Sequence, residues 1–287
     1  MFTSAIVCIL TLLPVAVVAS SNAHGRSPAV DTSPNEATVT VVYDNRSSAE
    51  GLKPAWGFAC IVEGLERTIL FDTGGDAPTL LGNMSKLGFT PQDVDVVVLS
   101  HAHLDHTGGL SGFLKANSDV AVYLLESFPS SVRDDARRRG AEVIDVSKPT
   151  QLCAGALLTG EIVGRPGIPE QSLLLQGDAG AAVITGCAHP GIVRIVQRAK
   201  EVTGGEVLVV IGGFHLAGDS GDSIRHIISS LKELGVRHAV PCHCSGDLAI
   251  KLFAKAYGAE FVNCAVGTSL EVGQMINKTE NDEPPSN

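Results

Sequence analysis

The chain has 287 residues, 44% hydrophobic and 18% charged, enough apolar length for one large folded domain. A formal net charge of -10 argues against nucleic acid or an anionic membrane surface as the main partner and leaves a small-molecule substrate as the expectation. Glycine is abundant at 31 residues, which suits a loop-rich scaffold.

The first 23 residues stand apart. Ala5 to Val18 is almost wholly apolar and is followed by the small residues Ala19-Ser20-Ser21-Asn22-Ala23, a pattern similar to a secretory signal peptide. The run is short for a membrane-spanning helix. Residues 1–23 are therefore expected to direct export, secreted or periplasmic, with no stable membrane insertion after cleavage; an uncleaved membrane anchor is the alternative. Residues 24–37, rich in Ser, Pro and Asn, form a linker, 38–275 the folded domain, and 276–287 an acidic, disordered tail. Of seven cysteines, loss of Cys8 leaves six: Cys60, Cys153, Cys187, Cys242, Cys244 and Cys264. An even number in an exported chain permits disulfides. Cys187, Cys242 and Cys244 lie beside histidines, however, and Cys60 and Cys264 read as core residues.

Within the domain, strands are expected at Thr38–Tyr43, Phe58–Val62 and Thr68–Phe71, then a tight turn at Asp72-Thr73-Gly74-Gly75. Thr79–Gly88 reads as a helix closing on glycine. Val94–Leu99 is a buried strand, Val120–Leu125 another, and Ser131–Arg139 a helix whose Arg137-Arg138-Arg139 end complements its dipole. Strands follow at 141–144, 172–175, 181–185, 207–211 and 239–240, interleaved with helices at 192–200, 223–234 and 247–257. Strand pairs at both ends with βα units between them imply two sheets with helices outside, an α/β architecture.

The chemistry concentrates at strand ends. His101-Ala102-His103-Leu104-Asp105-His106 puts three imidazoles and a carboxylate directly after a buried strand. On an extended segment His101 and His103 point the same way and can hold one ion, while Asp105 and His106 turn toward a second. Imidazole and carboxylate suit zinc, iron and manganese. His189, His215 and His243 follow three further strands. His189 and His243 are expected to complete a two-metal shell; Cys187 and His215 are either ligands or supporting groups. Ser245 and the backbone at Gly212-Gly213 are candidate substrate contacts, Asp44-Asn45 reads as an ordinary turn, and His226 and His238 read as structural.

These residues resemble the metallo-β-lactamase superfamily, whose H-x-H-x-D-H signature stands at His101, His103, Asp105 and His106. The resemblance extends from about Thr38 to Val272 and implies a four-layer αββα sandwich with the site along one edge. Phe71-Asp72-Thr73-Gly74 is similar to the family's first motif, which implies that Asp72 supports the metal loop. Trp56-Gly57-Phe58, Thr185–Gly191, Gly212–Leu216 and His243–Gly246 are similar to one branch. That branch includes 7,8-dihydropterin-6-methyl-4-(β-D-ribofuranosyl)aminobenzene-5′-phosphate synthases beside metal-dependent hydrolases. Two departures stand out. Gly186-Cys187 replaces the Gly-Asp whose aspartate bridges the metals in many relatives, so either Cys187 bridges as a thiolate or the bridge is missing. Pro169-Glu170 precedes Gln171-Ser172-Leu173 where the branch tends to carry an acidic pair.

The resulting expectation is an exported metal-dependent hydrolase with two divalent ions, zinc foremost and iron or manganese as alternatives. A bound ion lowers the pKa of its water from 15.7 to about 7, which supplies hydroxide at neutral pH. Asp105 would orient that hydroxide or pass a proton to the leaving group. The alternatives are the dihydropterin synthase reaction, a transfer that releases diphosphate, and a non-catalytic metal or redox module using Cys187, Cys242 and Cys244.

Overall fold

Strands rich in β-branched residues build two sheets that pack face to face. The computed structural model describes residues 36–164 and 167–277. The expected signal peptide, all but the last two linker residues and all but the first two tail residues lie outside the described residues. In chain order the elements begin with β1 (Thr38–Tyr43), β2 (Ala59–Glu63), β3 (Ile69–Phe71), α1 (Ala77–Lys86), β4 (Val96–Val98), α2 (Leu104–Thr107) and α3 (Leu110–Ala116). There follow β5 (Ala121–Leu125), α4 (Ser130–Arg138), β6 (Glu142–Val146), β7 (Thr150–Cys153), β8 (Ala156–Leu158), β9 (Ile162–Val163), β10 (Pro169–Glu170), β11 (Leu173–Gln176) and β12 (Ala181–Thr185). The chain continues with α5 (Ile192–Thr203), β13 (Val207–Gly213), α6 (Gly221–Glu233), β14 (His238–Cys242), α7 (Asp247–Tyr257), β15 (Ser269–Leu270) and α8 (Val272–Asn277).

The first sheet has the order β15-β1-β2-β3-β4-β5-β6 and the second β14-β13-β12-β11-β8-β7. β3 through β6 are mutually parallel, as are β12, β13 and β14, so within each set the carboxyl ends share an edge. Side-chain alternation assigns the two faces of the second sheet. Leu173, Leu175, Ala182, Ile184, Val209 and Ile211 join the core between the sheets. Leu174, Val183 and Val210 instead pack beneath Ile192, Ile195, Ile224 and Phe253 of the outer helices. Both faces are covered, which explains the near-continuous apolar runs.

Local chemistry sets the helix ends. Asp76 caps α1 by accepting from Thr79 N at 2.8 Å, and Ser220 caps α6 through Ser223 N. Gly204 closes α5 in the left-handed conformation at φ 67°. At the end of α4, Arg138 and Arg139 pair with Asp135, and Arg137 reaches Asp145, as expected of a solvated helix end.

Three features go beyond the sequence reading. The second half of the histidine cluster is helical rather than a loop: His103, still extended, holds the N-cap position of α2, which carries Asp105 and His106, and α3 follows at once. Gly108-Gly109 disguised this, since glycine disfavours helices. Gly109 is required for packing instead, because a Cβ there would lie 2.1 Å from Thr73 O. α8 carries the ordered chain to Asn277 and buries Ile276, two residues beyond the expected boundary at 275. The six cysteines that follow the expected leader are all free and buried.

Candidate metal centre

One buried carboxylate organises the histidine cluster. Asp72 leaves β3 with a left-handed φ of 58°, turning its side chain back under the end of β4. Its Oδ1 accepts from Ser100 N at 2.7 Å, and its Oδ2 accepts from Ser100 Oγ at 2.7 Å and from His106 Nδ1 at 2.7 Å. Ser100 Oγ in turn accepts from His101 Nδ1 at 2.9 Å. With their Nδ1 protons committed, His101 and His106 both present Nε2 lone pairs to the site, the usual way a supporting carboxylate fixes a ligand's tautomer. Burial raises the pKa of Asp72 well above the usual carboxylate value, while the Ser100 bonds pull it down.

The other ligands arrive from the second sheet. Beyond β12, Ala188 adopts φ 56°, and His215 and His243 follow β13 and β14 with φ 53° and 48°. Non-glycine residues seldom hold this conformation, and here each lies where a parallel strand hands its chain to the site. His189 Nε2 comes within 3.3 Å of His101 Nε2, which also lies 3.1 Å from His103 Nδ1. Cys187 Sγ lies 3.2 Å from His106 Nε2, and His243 Nε2 lies 3.2 Å from Asp105 Oδ2. Asp105, His106, Cys187 and His243 each bring a ligand atom to within 4.8 Å of the others, and so do His101, Cys187 and His189. Cys187 belongs to both groups, the place of a bridge. His215 and Cys244 form a third group with the same sulfur.

The residues fit a divalent metal. His243 Nε2 is buried and makes no hydrogen bond, while its Nδ1 faces Asn45 Oδ1 at 3.1 Å. With Nδ1 turned to Asn45, a neutral His243 presents its Nε2 lone pair to the Asp105 carboxylate 3.2 Å away, two acceptors that a divalent cation would bring together. Burial lowers His106 and His189 to about 4, and His101 well below its ordinary value, so all three are neutral and ready to ligate at physiological pH. Burial raises Asp105, but the neighbouring His243 and His106 outweigh it and hold the carboxyl below the usual range. The hydrogen bond from Cys187 is the first cause holding the Cys244 thiol low, at about 5, and Cys187 is raised as the other partner of that pair. Coordination deprotonates a thiol outright, so a metal at Cys187 would release that proton.

Several site residues differ from their sequence reading. Asp44-Asn45 is more than a turn: Asp44 Oδ2 accepts from His243 N at 2.9 Å, and Asn45 Nδ2 donates to His243 O at 2.9 Å. Ser245 does not face substrate; it is fully buried, and its Oγ accepts from Phe214 N at 3.0 Å. Gly212-Gly213 is likewise enclosed, with Gly213 N donating to Gly186 O at 3.1 Å. His215 is exposed, its ring 4.4 Å from that of His189. His238 is structural as read, pairing with Glu260 at 2.7 Å.

Sequence reasoning missed Glu170 as a site residue. It is fully buried beside the ligand loop. Its only signal in the sequence was an acidic residue just before Gln-Ser-Leu. A cavity of about 300 Å³ opens beside His243, lined in part by Asn45, Arg46, Trp56, Asp247 and Ile250. Trp56 is 61% exposed, with its ring 4.8 Å from His243.

This fold and ligand arrangement match a known class. Residues 57–240 match the model of the metallo-β-lactamase superfamily, and the chain belongs to that superfamily. Among its relatives is the 7,8-dihydropterin-6-methyl-4-(β-D-ribofuranosyl)-aminobenzene-5′-phosphate synthase of Methanocaldococcus jannaschii. The two are 28% identical over 264 residues, covering 75% of this chain and 90% of that protein. The chain is also similar to the crystal structure of Tm1679, a metal-dependent hydrolase of the β-lactamase superfamily. That likeness has a TM-score of 0.68 and 27% identity, covering 82% of this chain and 98% of that one. The fold is shared as well with YhfI from Bacillus subtilis, at TM-score 0.61 and 14% identity over 82% of this chain and 99% of that one.

Proposed function

We propose that the protein is a metal-dependent hydrolase whose ligand groups would hold two divalent ions, with the Cys187 thiolate placed to serve both. The observation carrying this reading is the presence of the Cys187 sulfur both in the group of Asp105, His106 and His243 and in that of His101 and His189. His101, His103 and His189 would hold one ion; Asp105, His106 and His243 would hold the other. A mixed nitrogen, oxygen and sulfur set favours zinc over manganese, because thiolate is a soft ligand. Bound ions would supply Lewis acidity and activate water for attack on an electrophilic carbon or phosphorus.

The protein groups then divide the work. His243 and His106 hold the Asp105 carboxyl below the usual carboxylate range, so it serves better to accept a hydrogen bond and orient the nucleophile than to carry a proton to the leaving group. Asp72, through Ser100 and His106, holds two imidazoles in the ligating tautomer. The cavity beside Trp56 and Asn45 gives a small substrate an apolar wall and a polar end next to His243.

Metal analysis of the purified chain, joined to a screen of esters, lactones, phosphodiesters and β-lactams, tests the reading. His103→Ala, at an exposed position, should keep the fold and lose metal and hydrolysis together; full activity in that variant would sink it. The synthase relative from Methanocaldococcus jannaschii favours a second reading, the transfer reaction of a dihydropterin synthase in place of hydrolysis. Diphosphate release from phosphorylated dihydropterin substrates, without hydrolysis of the screened compounds, would select it. Residues 1–23 are proposed to direct export, which N-terminal sequencing of the mature chain would check.

A further inference from the structure

Cys187 and His189 lie on a loop that has little of its own to hold it in shape. Between β12 and α5 the backbone passes through Gly186 and a left-handed Ala188, a conformation that alanine seldom adopts. Glu170 supplies the counterweight. Its Oε1 accepts from Thr185 Oγ1 at 2.8 Å and from the backbone N–H groups of Gly186, Cys187 and Ala188 at 3.1, 2.9 and 2.9 Å. Its Oε2 accepts from His189 N at 2.8 Å. Successive N–H groups curled around one anion form a nest, and here the anion is a side chain of the protein itself. Burial raises the Glu170 carboxyl, but His101 and the surrounding donors win and hold it below the ordinary glutamate value.

The next residue grips the other half of the site. Gln171 N donates to Ser100 O at 3.0 Å, and Gln171 Nε2 donates to Leu99 O at 2.8 Å. Residues 170–171 thus tie the end of β4 to the loop after β12.

We propose that Glu170 is the positioning residue of the metal centre: its buried carboxylate is the template on which residues 185–189 fold, so that Cys187 and His189 meet the ligands of the first sheet. The inference rests on the metal-centre reading above and adds to it a cause for the loop's shape. A carboxylate accepts at both oxygens, whereas a glutamine side chain accepts at one and donates at the other. In Glu170→Gln the amide oxygen can keep the four donors at the Oε1 position, but the amide NH2 then faces His189 N–H.

The test strips the purified full-length protein of metal, reloads it with cobalt(II), and follows both affinity and sulfur-to-cobalt charge-transfer absorption. Wild type should show the charge-transfer band. Glu170→Gln should remain folded by circular dichroism, lose about 10- to 100-fold in cobalt affinity, and show a weaker band per bound ion. Thr185→Val, which deletes a single donor and nothing else at the nest, should lose affinity in the same direction by a smaller factor; it decides the matter if Glu170→Gln fails to fold. A variant that is less heat-stable yet binds cobalt with wild-type affinity and an unchanged band would show a purely structural role and overturn the proposal. Absence of the band in wild type would instead overturn the thiolate-bridged centre itself, and the template role with it.

Discussion

The two halves of the candidate site are built on opposite plans. His101, His103, Asp105 and His106 come from six consecutive residues, and one carboxylate, Asp72, sets the tautomers of two of them. Cys187 and His189 come from the loop that ends β12, and His243 from the end of β14, two separate stretches of chain. Each needs its own fastening: Glu170 for the loop after β12, and Asp44 with Asn45 for the residue after β14. The contiguous half needs one support for many ligands; the dispersed half spends several buried polar residues on three. Gly186 joins the halves, since its Cα lies so close to Ser100 that a Cβ would fall 2.1 Å from Ser100 Oγ and 2.9 Å from Asp72 Oδ2.

Removing the shared support should have the largest effect. Asp72→Ala leaves Ser100 N, Ser100 Oγ and His106 Nδ1 without their buried acceptor, and a loss of about 3–5 kcal/mol in unfolding free energy is expected. Chemical denaturation would measure it; a loss below 1 kcal/mol would mean the contiguous half does not hang on this carboxylate.

Acid probes both halves at once in the metal-free protein. His106 and His189 are lowered to about 4 from 6.5, so the unfolded chain takes up protons that the folded chain refuses. Stability is therefore intact above pH 6.5, falls as pH drops toward 4, and levels below it for these groups. For fully buried His106 the fall is on the order of 3 kcal/mol. Denaturation midpoints that stay flat between pH 7 and 4 would contradict the assignment.

Gly186→Ala attacks the junction. The new methyl must displace Ser100 or the loop, with an expected cost of about 1–3 kcal/mol and loss of metal from both ligand groups. Paired metal analysis and melting would show whether the halves fail together, as the junction requires, or one alone.

Asn45→Ala should have the smallest effect and separate the halves most cleanly. It frees the His243 ring without touching the cluster, and about tenfold weaker binding of one ion is expected, with the other unchanged. Calorimetric titration that shows both ions weakened equally would blur the distinction between the two plans.

Much of the fold could be read in advance because it rests on patterns with a fixed period. β1, β12 and α7 fall at the expected residues, since β-branched alternation and a helical apolar face leave few alternatives. The cluster was legible for a related reason: its ligands are neighbours in sequence. The helices on either side of Gly108-Gly109, α2 within the cluster and α3 after it, were hidden by those glycines, which serve close packing rather than helix propensity. Glu170 and the Asp44-Asn45 pair were illegible as site residues because their partners lie 15 to 19 and 198 to 199 residues away. Ser245 misled for the converse reason: a serine beside a ligand looks available for substrate, yet the fold turns its hydroxyl onto Phe214 N.

The sequence by itself determined the superfamily pattern, the two-sheet architecture and the chemical type of the first four candidate ligands, because each depends on spacing along the chain. Tertiary structure alone decided that one cysteine lies in both ligand groups, that His243 is aimed by an asparagine, and that a buried glutamate shapes the loop between β12 and α5. Those outcomes depend on which strand ends share an edge when the sheets pack. Buried polar groups must find partners wherever the chain brings them, and no local pattern records where that will be.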